Sequence, residues 1–400
     1  MHILKKTLTL ITKTVASVVM IALAAIFATS VSFVYTFSPP SPFKGPDIYN
    51  PYRNLDTSYC WQRANLHTHT RVDGIMNECD VWPEGVLEAY ENFEYDIVTF
   101  SNHNRLTPHP FDKECHVDVY EHGYNISKYH KNVFGCSKVN RFDHLLPLFA
   151  FQKQFQIDLL LKDCDFIQMN HPSRTKGTSK ELMEKLRGYS LIELDSGRST
   201  ENEYWDWALS AGIYSFCTAN DDLHYPDRSS RIAIRSNFLC TPTPGYKDFK
   251  NTLLEGCFYA MRTPDYGHGD WQIKYEENRK VPYITEIGLE GDTIFFSISE
   301  NADSIKVIGQ DHRTLHFETD SKGLRYTMRA DDSYARITAY LEDGEVIYTN
   351  PFARYDASVS KNPFNGPTHA VNVLLTVLYN LLMVALTAGT IVLMIKMLRK

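Results

Sequence analysis

The sequence predicts an α/β unit followed by a small β-sandwich, the two held between a pair of membrane-spanning helices. Three observations predict it. Strand-like apolar runs alternate with helical stretches from about residue 59 to 265, as the repeated βα units of a mainly parallel sheet or barrel do. Short, partly alternating runs separated by Gly291-Asp292 and Asp343-Gly344 follow between 266 and 355. Uncharged apolar stretches stand near both ends.

No charged residue occurs in 14–35, and a second uncharged run covers 370–395 with Asn372 and Asn380 inside it. About 20 apolar residues cross a bilayer as a helix, and isolated amides are tolerated there when they find partners or lie near an interface. Mean hydropathy is -0.31 in spite of both runs, so the middle of the chain is polar. Lys5, Lys6 and Lys13 precede the first run, and Lys396, Arg399 and Lys400 close the second. The positive-inside rule then puts both termini in the cytoplasm and the middle outside it. Cleavage near Ala25-Ile26-Phe27-Ala28 is the alternative for the first run, which is longer than a usual signal-peptide core. The second helix anchors the chain in either case.

The net charge of -7 excludes a general nucleic-acid binder, so no duplex binding is expected. Cys60, Cys79, Cys115, Cys136, Cys164, Cys217, Cys240 and Cys257 all lie between the apolar runs, where an oxidising compartment favours disulfides. Cys115 with Cys136 is the first pairing expected, while Cys217, in an apolar strand-like run, reads as a buried thiol. No cysteine pair has zinc-finger spacing.

In chain order, residues 1–37 form the first anchor. Prolines 39, 40, 42 and 46 make 38–58 a stiff spacer that lifts the domain off the membrane. The α/β unit occupies 59–265, the β-rich unit 266–355, a linker 356–368, and the second helix with its basic tail 369–400. Within the α/β unit, 83–90 opens as a helix with Pro83 in its first turn, and 95–100 is a buried strand. Strands at 165–170, 190–194 and 212–218 alternate with helices at 179–186 and 204–209. Six short strands between 284 and 340 make up the sandwich.

Chemistry in parallel α/β folds gathers where strands pass into loops at their carboxyl ends. His67 and His69, one residue apart on a strand, point to one face and suit a metal ion, with Asp73 just beyond. The other strand ends carry Ser101-Asn102-His103, Asn170-His171-Pro172 and Asp221-Asp222-Leu223-His224. A single histidine at such a junction is usually a turn residue. Four junctions that each carry one point to a shared site.

These four ordered motifs resemble those of the polymerase and histidinol phosphatase (PHP) family, over roughly the central half of the chain. The resemblance implies a distorted (β/α)7 barrel, two or three divalent metal ions and hydrolysis of phosphate esters. Glu121 and His130 match the family's intervening carboxylate and histidine. Carried over, the likeness implies one ion on His67, His69, Glu121 and Asp222, and a second on Glu121, His130 and His171. A third would lie on Asp73, His103 and His224, with Asp80 as the fallback for Asp73, since the loop after His69 is one residue shorter than in many relatives. Asn102 stands where relatives commonly have aspartate. The β-rich unit, ending at Thr349-Asn350-Pro351, resembles the accessory domain of the carbaryl-hydrolase-like branch.

Such a centre lowers the pKa of a bridging water to give hydroxide near neutral pH and offsets charge in the transition state. Glu121 and Asp222 would hold the reacting group, and Arg174 and Arg198, on loops at the active end, are candidates to bind phosphate. Glu193 is a further candidate, or else a partner of one of those arginines, and Asp221 orients a ligand or caps its loop. Zinc, manganese and iron all suit an imidazole-rich site. Small-molecule phosphate esters are the expected substrates. A carboxyl ester, carbamate or amide hydrolase is the alternative, for which the aromatic Trp205-Asp206-Trp207 leaves room; a metal-stabilised binding protein is the third. The Asn125-Ile126-Ser127 sequon sits between two expected ligands and reads as coincidence.

Overall fold

The structure is a computed structural model. It describes residues 2–399 apart from 57–60, 75, 76, 109–116, 176, 197, 198, 201, 227–230, 242–244 and 267–269. Cys60, Cys115 and Arg198 therefore lie outside the described residues.

Strand Gln62–Thr68 pairs in parallel with Ile97–Phe100, Ala64 opposite Ile97, and antiparallel with Arg235–Leu239, Ala64 opposite Asn237. The same sheet continues through Phe258–Arg262 and Val346–Thr349 into Tyr334–Tyr340, Thr293–Gly309 and Ile284–Glu290. The strands read from sequence as a separate sandwich are thus continuous with the sheet that carries His67. A second sheet runs Phe216–Asn220, Leu191–Ser196, Phe166–Met169, Lys131–Phe134 and Val119–His122, the first three parallel and the last two antiparallel to their neighbours.

The fold is mixed α/β; the expected (β/α)7 barrel is not shown, and no closed barrel is seen among the described residues. At one seam the sheets meet only through the isolated His103–Glu121 bridge. At the other, the Thr68–Leu223 bridge, with Asp222 N donating to His67 O (3.1 Å) and His69 N to Leu223 O (2.9 Å), is supplemented by amide side chains. The Asn237 amide donates to Ala219 O (2.9 Å) and accepts from Ala219 N (2.9 Å), and Asn220 Oδ1 accepts from Leu66 N (2.8 Å). A primary amide matches a peptide group donor for donor, so the buried asparagines satisfy backbone groups beside the few residues that pair directly.

Other expectations change with packing. The 38–58 segment does not stand off as a spacer: Ser41 N donates to Ala211 O (2.9 Å), Arg187 Nη2 to Ser38 O (3.0 Å), and Phe43 is buried in the main core. Asn350 ties the C-terminal strands down, donating to Gly256 O (3.0 Å) and Phe258 O (2.8 Å) and accepting from Cys217 N (2.9 Å). No disulfide occurs among the described residues, contrary to expectation. Cys136 is a buried thiol 3.6 Å from Val133 O, turned into the core. Cys217 is a buried thiol as read, and burial pushes its pKa up to about 12.

Two helices, Lys6–Thr29 and Val373–Arg399, are long and apolar enough to cross a membrane, and they pack on each other. Asn372 caps the second through Leu375 N (3.0 Å). Asn380 exchanges two bonds of 3.0 Å with the Ser32 backbone, so its amide has the partner that an apolar setting requires.

Candidate metal centre

The histidine-bearing junctions converge at the carboxyl end of the strands. Strand Gln62–Thr68 is buried on both faces and delivers His67 and His69 to one side, their rings 5.4 Å apart. Glu121 enters from strand Val119–His122 and lies at the middle. Its Oε2 is 3.4 Å from His67 Nε2, 3.4 Å from His69 Nε2 and 3.1 Å from His103 Nε2, while Oε1 is 3.1 Å from His130 Nδ1 and 3.3 Å from His171 Nε2. Asp222 Oδ1 is 3.2 Å from both His67 Nε2 and His69 Nε2. His171 and Asp222 hold positive φ of 25° and 49°, backbone strain of the kind that clusters where side-chain aim matters.

Three groups of donor atoms lie within 4.8 Å of one another: His67, His69, Glu121 and Asp222; His103, Glu121 and His130; and His69, Glu78 and His103. The first matches the expected set for one ion. His171 joins the second through Glu121 Oε1. Asp73 is in none of these groups; it is exposed, and its carbonyl accepts from Arg105 Nη1 (2.7 Å). Asp80, the fallback, is also exposed. Glu78 occupies the place instead, 3.1 Å from His103 Nε2 and 3.7 Å from His224 Nε2. The sequence offers three acids on this loop, Asp73, Glu78 and Asp80, and only the path of the loop selects among them.

The residues behind the donors explain their aim. His67 Nδ1 faces Glu193 Oε1 at 2.9 Å, which makes Nδ1 the protonated nitrogen and turns the Nε2 lone pair into the centre. His67 Nε2 is buried without a hydrogen-bond partner, as fits a nitrogen reserved for an ion. Glu193 also accepts from His171 N (3.0 Å) and Asn220 Nδ2 (3.1 Å), so it serves the histidines rather than an arginine. Asn170 Nδ2 donates to Glu121 Oε1 (2.9 Å). Asn102 accepts from Thr70 N (2.9 Å) and donates to Thr70 Oγ1 and Thr107 Oγ1 (2.7 Å each). Asp221 caps its loop, accepting from Tyr90 OH (2.9 Å), Ala233 N (2.7 Å) and Arg235 N (3.1 Å).

Burial works against a proton on His67, but Glu193, Glu121 and Asp222 outweigh it and hold the imidazolium well above its usual range. Burial pushes His69 and His130 down to about 4, in spite of Asp222 and Glu121 respectively. Burial also opposes charge on Glu121 and Asp222, yet the histidines bring both well below the carboxylate range. The carboxylates thus favour positive charge at the centre, which is what a divalent cation would supply there, while His69 and His130 are held neutral. Arg174, on the turn after His171, pairs with Asp222 Oδ2 and keeps about a third of its side chain exposed. Trp205 and Asp206 are buried, Asp206 against Arg336, and Trp207 is partly buried against the main core.

No family model matches the chain. No curated protein matches it either. Among solved structures, it is similar to a two-domain Bacteroides vulgatus protein described as containing a predicted PHP-like metal-dependent phosphoesterase. That likeness covers 78% of this chain and 99% of the other, at 16% identity and a TM-score of 0.38, too distant to bear on activity.

Proposed function

We propose that the chain is a membrane-anchored, metal-dependent phosphoesterase that cleaves phosphomonoesters or phosphodiesters outside the cytoplasm. The observation that carries this reading is the convergence of six histidines on Glu121, Asp222 and Glu78, with a partly exposed arginine at the edge. His67, His69, Glu121 and Asp222 would hold one divalent ion, Glu121, His130 and His171 a second, and Glu78, His103 and His224 a third. Zinc, manganese or iron bound there would activate water near neutral pH and offset charge on the substrate's oxygens.

The chain's own residues do the rest. Glu193 and Asn170 fix the orientation of His67 and Glu121 before substrate arrives. Arg174 can swing one guanidinium edge from Asp222 to a phosphate oxygen, which it binds in the planar, two-pronged manner suited to that group. Anionic substrates match a site whose open edge is guanidinium.

The test is turnover of an aryl phosphate, a bis-aryl phosphodiester and an aryl ester by full-length protein in detergent with zinc, manganese or iron supplied. Turnover of either phosphate that stops on chelation supports the proposal. Turnover of the ester alone would replace it with the ester-hydrolase alternative, and metal binding without any turnover would leave a binding protein.

A further inference from the structure

The loops flanking the metal centre also form the part of the domain nearest the two apolar helices. Leu145 N donates to Thr29 Oγ1 (3.2 Å), and Gln152 Nε2 donates to Tyr379 OH (3.0 Å). Phe33 packs on Phe155 and Phe155 on Phe142, at ring distances of 5.4 and 5.8 Å. Phe149 stacks on Phe151, which meets Tyr379 at 5.0 Å. Around these contacts Ile126, Phe142, Leu148 and Phe149 present 53%, 37%, 66% and 50% of their surfaces to the outside. Lys128 and Arg141 are exposed among them. Scattered exposed apolar residues are ordinary, but a cluster of this kind beside a membrane helix, rimmed by basic groups, is the composition of a surface that rests in lipid headgroups.

Helix length puts this cluster at the right depth. Sixteen residues separate Lys13 from Thr29, and sixteen separate Asn380 from Lys396. At ~1.5 Å per residue each stretch rises about 24 Å, against a hydrocarbon core of about 30 Å. With Lys13 and Lys396 at the cytoplasmic boundary, Thr29 and Asn380 do not clear the outer one, and the loop bonded to Thr29 sits at the interface. The same loop leads to the metal centre. Ile126 N donates to Leu145 O (3.0 Å), and two residues earlier the Tyr124 ring lies 4.7 Å from that of His103.

We propose that this face, Ile126, Phe142, Leu148 and Phe149, seats in the headgroup layer of the anchoring membrane and gives the metal centre access to a phosphate ester carried on a lipid. The inference rests on the membrane-anchored phosphoesterase reading and names its substrate class. In the reaction the water oxygen bonds to phosphorus, the P–O bond to the lipid alcohol breaks, and the proton lost by water ends on that alcohol oxygen. Soluble phosphate esters are then incidental substrates.

Full-length protein reconstituted in lipid nanodiscs tests both halves separately. Phe149→Trp and, on the distant exposed strand Arg313–Thr327, Phe317→Trp each add one fluorophore, read as the difference from parent protein in discs containing headgroup-proximal brominated lipid. The expected result is loss of at least half of the emission added at 149 and none of that added at 317. Equal response at the two positions overturns the docking face, whether or not the protein is active. For the substrate, Ile126→Asp with Phe149→Asp is expected to lower release of phosphate from phosphatidic acid discs, or of glycerol phosphate from phosphatidylglycerol discs, at least tenfold while leaving aryl phosphate turnover in detergent unchanged. Unchanged lipid turnover, or equal loss on both substrates, overturns the lipid assignment. No turnover of any phosphate by the metal-loaded parent sinks the phosphoesterase reading itself, while the quenching result still decides the docking.

Discussion

Glu193→Gln probes the centre without removing any residue that would touch an ion. The carboxylate accepts from three donors: His67 Nδ1 (2.9 Å) and Asn220 Nδ2 (3.1 Å) on one oxygen, and His171 N (3.0 Å) on the other. A glutamine has one accepting oxygen, so its NH2 must face at least one of these donors whichever way the amide turns. If the oxygen keeps His67, the buried His171 N–H loses its partner, at a cost of about 1–3 kcal/mol. If it keeps His171, the His67 tautomer is no longer fixed and Nε2 is a poorer donor to the centre. Either way, metal affinity is expected to fall by about 10- to 100-fold, the effect usual for residues that orient metal-bound histidines. Chelator competition on full-length protein in detergent, with bound metal read by mass spectrometry, measures it, and circular dichroism checks the fold. A dissociation constant within about twofold of the parent would refute the argument, because Glu193 would then be only a core strut.

Glu78→Gln is expected to remove one equivalent of metal per chain and leave the others, whereas Asp73→Asn should leave the metal content intact; the reverse pattern by mass spectrometry would restore Asp73 as the donor. Arg174→Ala is expected to raise KM for an aryl phosphate by about tenfold, roughly the 1.4 kcal/mol of one charge-assisted contact, with metal content unchanged. Loss of metal in that variant would show instead that Arg174 merely holds Asp222. Asp206 supplies the pH prediction. Burial alone would raise its pKa, but Arg336 and the hydrogen bonds from Arg336 and His312 hold it below the ordinary range. The unfolded chain therefore binds more protons, and the pair's stabilisation, complete above about pH 4, declines as pH falls further. Asp206→Asn should cost about 3 kcal/mol at pH 7 by leaving Arg336 unpaired and should flatten the acid limb of thermal stability against pH. An unchanged limb would place the acid sensitivity elsewhere.

Much of the candidate site was legible in the chain. His67, His69, His103, His171, Asp222 and His224 stand where strands end, and strand ends can be read from apolar runs bounded by polar ones. Glu121 and His130 were less visible, because the antiparallel strands that carry them, Val119–His122 and Lys131–Phe134, lack an unbroken apolar run. Helix Ala150–Leu160 was not read at all. It buries Gln152, Lys153, Gln154 and Gln156, so its inward face looks like an outward one in sequence. Cysteine count pointed to disulfides, yet whether two thiols meet depends on strand register, which spacing along the chain does not state.

The sequence by itself determined the alternation of strands and helices, the apolar ends and the supply of imidazole and carboxylate, since these follow from local periodicity and residue chemistry. Tertiary structure alone decided three things. It joined the two sheets through single backbone bridges and buried asparagine side chains rather than continuous ladders, a matter of register between strands far apart in the chain. It laid the proline-rich segment along the domain, because Phe43 is worth more buried in the core than extended in water. It chose Glu78 over Asp73, because a donor is selected by where its loop passes in space, and only the folded chain brings that loop to His103.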